Sequence, residues 1–75
     1  MNTSNLIKMA NQIGDFFEAM PDSEQAAIDV ATHINRFWEP SMRNGFLDYI
    51  VTSGKEELKP IVCKALPMIR DARGG

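Results

Sequence analysis

Three places in the chain carry side chains that could do chemistry. Asp15 and Glu18 stand three apart on a helical pattern, so their carboxylates share one side. Paired carboxylates do acid–base work only in a sequestered pocket. A chain of 75 residues has little room for one, which makes a solvated helix face the plainer reading. His33 is the only histidine. It would serve as a general base beside a nucleophile or ligand, but none is offered nearby, which leaves an exposed or interface histidine. Cys63, the only cysteine, falls off the apolar stripe of its segment, near Lys59 and Arg70. Basic neighbours lower a thiol pKa, so Cys63 reads either as a reactive thiolate or as an ordinary thiol in a reducing compartment.

No nucleophile motif, glycine-rich phosphate loop or cysteine cluster is present. One cysteine makes no internal disulfide, and one histidine with one cysteine does not complete a site of three or four N/S ligands. The expectation is no catalytic, cofactor-binding or metal residue in this chain.

The densest stretch is HINRFWEPSMR, from His33 to Arg43. It holds the only Trp with a Phe, a Met, two Arg and a Pro. Helical register divides it. Ile34 and Trp38 continue the apolar stripe begun by Ala27, Val30 and Ala31, with Phe37 at its edge and Asp29, His33 and Arg36 on the far side. Trp38 suits the core or a shared interface, since large aromatics serve both. Arg36, Glu39, Met42 and Arg43 surround the Pro40 corner, either as a solvated corner with a weak Glu–Arg pair or as an interface.

The elements that position these residues are helical throughout. Leu6, Met9, Ala10, Ile13, Phe16, Phe17 and Met20 form one stripe, with Thr3 or Ser4 as cap. Gly14 is costly inside a helix and points to a close helix contact. Pro21-Asp22 closes this helix; Asp22 caps the next, with Gln25 at the capping-box position. A third helix is expected from Pro40 to Ser53, stopped by Gly54. Its apolar residues form two overlapping faces, Phe46, Leu47, Ile50 and Val51 on one, Met42, Phe46 and Tyr49 on the other. Together they cover roughly 200°, wider than the ~100° stripe of a surface helix. Pro60 opens a fourth helix lined by Leu58, Ile61, Val62, Ala65, Leu66 and Ile69, which Pro67 kinks or ends near Leu66. Fraying is expected at about residues 1–4 and 70–75. The fold class is therefore all-α, a single-domain bundle of three to four short helices.

The net charge of −2 offers no basic field for phosphates, which disfavours nucleic acid and a DNA-binding regulator. No run approaches the ~20 apolar residues of a membrane span, and the start lacks a secretory signal. The cytoplasm is the expected compartment. So small a core calls for good helix packing, a partner or both. An exposed apolar face on the third helix would also permit self-association.

The run NLIKMANQI (Asn5 to Ile13), the Phe16-Phe17 pair, HINRFWEPSMR and the stretch from Leu58-Lys59-Pro60-Ile61-Val62 to Ala65-Leu66 together resemble a known family. It is the small delta subunit of bacterial NAD-dependent, molybdenum-containing formate dehydrogenases, and the likeness covers about residues 5–66. The MANQI run and the FW-acidic-P-x-M-R run are its most specific parts. The resemblance implies an accessory protein without a cofactor. Larger subunits would hold the molybdenum cofactor, the iron–sulfur clusters and the flavin (FMN), and this chain would support assembly, cofactor insertion or stability. The expected partner-binding residues are Arg36, Glu39, Met42 and Arg43, extended by Phe46 and Tyr49 and joined by His33. A permanent subunit and a transient maturation chaperone for the catalytic subunit both fit.

Overall fold

Asp22 starts the second helix as its sequence position suggests. In this computed structural model, which describes residues 3–71, Asp22 has extended backbone angles, and its Oδ1 accepts the N–H groups of Glu24 and Gln25. Those donors have no partner inside a helix, so the cap satisfies them. Gln25 does not complete a capping box: its side-chain amide donates to Asp29 Oδ1 at 3.0 Å instead.

The order is α1 (Thr3–Phe17), α2 (Ser23–Phe37), α3 (Pro40–Ser53), α4 (Pro60–Ala65) and a 3-10 turn (Leu66–Met68), with no strand among the described residues. The all-α class is as expected. α1 ends three residues before Met20, because a residue ahead of proline is pushed out of the α conformation and the chain unwinds into a turn. Thr3 and Ser4 lie within α1, and Arg70 takes part in hydrogen bonds described below; residues 1, 2 and 72–75 lie outside the described residues.

Pro40 occupies the first turn of α3, where its missing N–H is no loss. Gly54 stops α3 with φ +88°, a conformation that a Cβ opposes, and its N–H closes on Ile50 O at 2.9 Å. Pro67 has no N–H to continue α4, and the chain tightens into the 3-10 turn.

The core is one cluster. Leu6, Ile7 and Ala10 of α1 meet Ala27, Val30, Ala31, Ile34 and Trp38 of the second segment, Phe46 of α3, and Leu58, Val62, Ala65 and Ile69 of the fourth. α2 packs most extensively on α4, and α1 bridges the other three helices. Gly14 is where α1 meets α4: a Cβ there would lie 2.9 Å from Val62 Cγ2 and 3.0 Å from Ile61 Cγ2. The close contact expected of Gly14 is thus made. The radius of gyration is 11.4 Å, against about 11 Å for a compact chain of this length.

α3 is the least committed helix. Only Phe46 is fully buried on it, while Met42, Leu47, Tyr49 and Ile50 are half-buried and Val51 is 87% exposed. The broad apolar arc read from the sequence is therefore spread over a partly covered surface.

Candidate functional site

The buried line of α1 runs through Leu6, Ile7, Ala10 and Gly14. It is turned by about 100° from the flank carrying Met9, Ile13 and Phe16, at 100° per residue. One flank of α1 faces α4, with Asn11, Asp15 and Glu18; the other carries Met9, Gln12, Ile13 and Phe16. α2 contributes His33 and Phe37 to the same side, beside Val30 in the register. The apolar residues of both helices span more arc than their packing covers. The remainder forms an open groove of about 400 Å³, with Met9, Ile13, Phe16, Phe17 and Trp38 as its apolar lining and Gln12 and His33 completing it.

Rings follow one another from this groove into an adjoining hollow lined by Phe17, Asp29, Thr32, His33, Arg36 and Phe37. Phe16 and Phe17 meet edge to face at 5.0 Å and Phe17 and His33 at 6.4 Å, while His33 and Phe37 lie tilted at 4.8 Å. Arg36 extends the row, its guanidinium carbon 5.6 Å from the Phe37 ring centre, a cation–π contact. Phe16 is 75% and Phe37 65% exposed. Exposed aromatics at the two ends of such a row are of the type found among interface anchors.

His33 is half-buried between Phe17 and Phe37, not on the far side of α2 as the register reading had it. Arg36 is exposed beside it. The other expected docking residues lie elsewhere. Phe46 is fully buried, edge to face with Trp38 at 5.6 Å, and offers no surface. Arg43 turns inward: Nη1 donates to Asn35 O and Trp38 O at 3.1 and 2.9 Å, and Nε donates to Arg70 O at 3.1 Å. It staples the Pro40 corner to the chain beyond the 3-10 turn. Glu39 is exposed, and its carbonyl accepts from Met42 and Arg43 at the start of α3. Among the described residues no ion pair joins Glu39 to Arg36 or Arg43. Met42 is half-buried against the core, and Tyr49 donates its hydroxyl to Glu57 Oε1 at 3.0 Å. That carboxylate beside the phenol pushes the Tyr49 pKa up from its ordinary value, since it accepts the proton's hydrogen bond and repels the phenolate.

Asp15 and Glu18 form no acid–base pocket. Both pair with Lys59, which bridges α1 to the start of α4, and the two carboxylates push the Lys59 pKa up. Trp38 is core, 5% exposed, and also lines the groove floor. Cys63 is half-buried with Sγ 3.9 Å from the carbonyls of Lys55 and Leu58. Lys59, the expected basic neighbour, points its ammonium at α1 instead. Among the described residues no three His, Cys, Asp or Glu side chains gather into a group that could hold a metal ion, and no helix is long and apolar enough to cross a membrane.

Sequence reasoning singled out neither Phe16 nor Phe37 for the site. The available signal was the breadth of the apolar arc on α1, which extends past any single neighbour.

A family model described as NADH-dependant formate dehydrogenase delta subunit FdsD matches residues 5–66. No curated protein and no solved structure matches the chain.

Proposed function

We propose that this chain, which belongs to the FdsD family of formate dehydrogenase delta subunits, is a non-catalytic accessory subunit of a molybdenum-dependent, NAD-linked enzyme. It docks on the larger subunits in the cytoplasm and supports their assembly, cofactor insertion or stability. The molybdenum cofactor, iron–sulfur clusters and FMN belong to those larger subunits. The observation that carries this reading is the family match from residue 5 to residue 66. The exposed aromatic groove supports it, because a surface of this composition gains by being covered.

Co-purification with the larger subunits tests the reading. A full equivalent of this chain in the active enzyme is the expected result; a trace amount would instead assign a transient chaperone. Deletion of its gene, followed by formate oxidation and molybdenum content in the remaining complex, separates the roles. Lowered metal content assigns cofactor insertion, and full loading with faster loss of activity on heating assigns stability. An enzyme unchanged in yield, metal and lifetime would refute an accessory role.

A further inference from the structure

We infer that α3 is a hinged cover: beyond Arg43 it opens as a unit from the body formed by α1, α2 and α4, and its opening bares Leu6 and Trp38. The inference does not depend on the subunit reading. Local sequence, packing and the two ends of the helix each point to it.

α3 lacks the local support that α2 has. Asp22 caps α2, with Glu24 in its first turn and Arg36 in its last. At the start of α3 the Glu39 side chain makes no cap hydrogen bond, no acidic residue stands in the first turn and no basic residue in the last. Asn44 and Gly45 lie side by side in its interior. Both are poor helix formers, and a glycine alone lowers helix formation about fivefold relative to alanine. Val51 and Thr52, β-branched and disfavoured in helices, follow near its end. A helix of 14 residues without such support is marginal in water, so packing must hold it.

Packing holds it by little. α1, α2 and α4 each pack on both of the others, whereas α3 packs chiefly on α1. Phe46, its one fully buried residue, meets Trp38 edge to face at 5.6 Å. Gly45 stands over Leu6, where a Cβ would lie 3.8 Å from Leu6 Cδ1. Leu6 and Trp38 are otherwise part of the common core, 2% and 5% exposed. Segments with few buried apolar contacts open below the free energy of global unfolding.

The two ends differ. At the start Arg43 is fastened to Asn35 O, Trp38 O and Arg70 O, which pins the first turn to the body. Next comes the Asn44-Gly45 break. At the far end the Tyr49 hydroxyl reaches Glu57 Oε1 through an exposed hydrogen bond, and Gly54 supplies a positive φ of +88°. The pinned turn and the two glycines place the hinges at Gly45 and Gly54.

Native-state hydrogen exchange of the full chain tests the cover, read amide by amide where reclosing outruns exchange. We expect the slowest amides of residues 46–53 to exchange at least about tenfold faster than the slowest of α1 and α2. Gly45→Ala fits, because its methyl makes an ordinary contact with Leu6, and should slow residues 46–53 about fivefold. Gly14→Ala places a methyl 2.9 Å from Val62 Cγ2 at the α1–α4 contact, within the body. It should speed the slowest amides of α1 and α2 and leave residues 46–53 within about twofold, since that contact survives when α3 alone opens. Ile61→Ala, half-buried at the same contact, serves if Gly14→Ala does not fold. Residues 46–53 as slow as α1 and α2 in the wild type overturn the proposal. So does their acceleration in step with α1 and α2 in the body variant, because all the helices then open together.

Discussion

Asn11 and Asn35 perform the same operation on either side of α4. Asn11 donates from Nδ2 to Glu57 O at 2.8 Å and accepts the Lys59 N–H on Oδ1 at 2.9 Å. Asn35 donates to Met68 O at 2.9 Å and accepts the Arg70 N–H at 2.8 Å. Each amide pairs with a carbonyl and the N–H two residues on, as a neighbouring strand would. Short α4 has little helical stability of its own, so these clamps from α1 and α2 define where its flanking chain lies.

Either clamp removed by Asn→Ala loses two hydrogen bonds. At about 0.5–1.5 kcal/mol each, the variant should lose about 1–3 kcal/mol. For a domain this small the melting temperature should fall by about 4–8 °C per kcal/mol. Thermal denaturation followed by circular dichroism reads the change. Melting unaltered in both variants would show that the clamps are incidental.

Gly14→Ala should destabilise, against the usual trend. An alanine inside a helix is favoured over glycine by about 1 kcal/mol. Here the new methyl meets Val62 Cγ2 at 2.9 Å, and Val62 is fully buried with a stiff β-branched side chain. Overpacking at about 1–3 kcal/mol outweighs the propensity gain. Adding Val62→Ala should cost less in the Gly14→Ala background than alone, because it removes the clashing carbon. A rise in melting temperature for Gly14→Ala would disprove the contact.

Tyr49 is the only tyrosine, so its titration is readable by near-ultraviolet absorbance. Glu57 holds it above the ordinary value of 10.0. The folded chain then keeps a proton that the unfolded chain has lost. Stability from this pair is complete below pH 10.0 and declines as pH rises through the folded value. Glu57→Gln should return the titration towards 10.0. The same midpoint in both proteins would exclude the hydrogen bond as the cause.

Arg43→Lys should weaken the fold rather than the docking. A guanidinium reaches Asn35 O, Trp38 O and Arg70 O together, whereas an ammonium is a point donor that does not span all three. A loss of about 1–2 kcal/mol in urea denaturation is expected. Binding to the larger subunits should be unchanged where the variant is folded. Full stability with lost binding would return Arg43 to the docking surface.

The local grammar of the chain was legible because it depends on neighbours in sequence. Asp22 caps, Pro40 opens a helix, Gly54 takes a positive φ and Pro67 breaks one wherever the rest of the fold lies. The stripe of Ala27, Val30, Ala31, Ile34 and Trp38 was readable for the same reason: a single helical period places all five on one face, and all five are buried.

Which flank of a broad apolar face is covered is another matter. α1 carries apolar residues over a wide arc, and Phe16 and Ile7 stand at its two edges; packing buries Ile7 and leaves Phe16 in water. Met42, Phe46 and Tyr49 share a face of α3, yet only Phe46 is fully buried, while Met42 and Tyr49 pack half-buried against the core. Arg36 and Arg43 looked alike beside one corner, and one became a staple while the other stayed exposed over the Phe37 ring. Periodicity sets angles around one helix axis but not the position of the next helix. The groove, the clamps of Asn11 and Asn35 and the inward turn of Arg43 all arise between segments distant in sequence, so they exist only once the helices are packed.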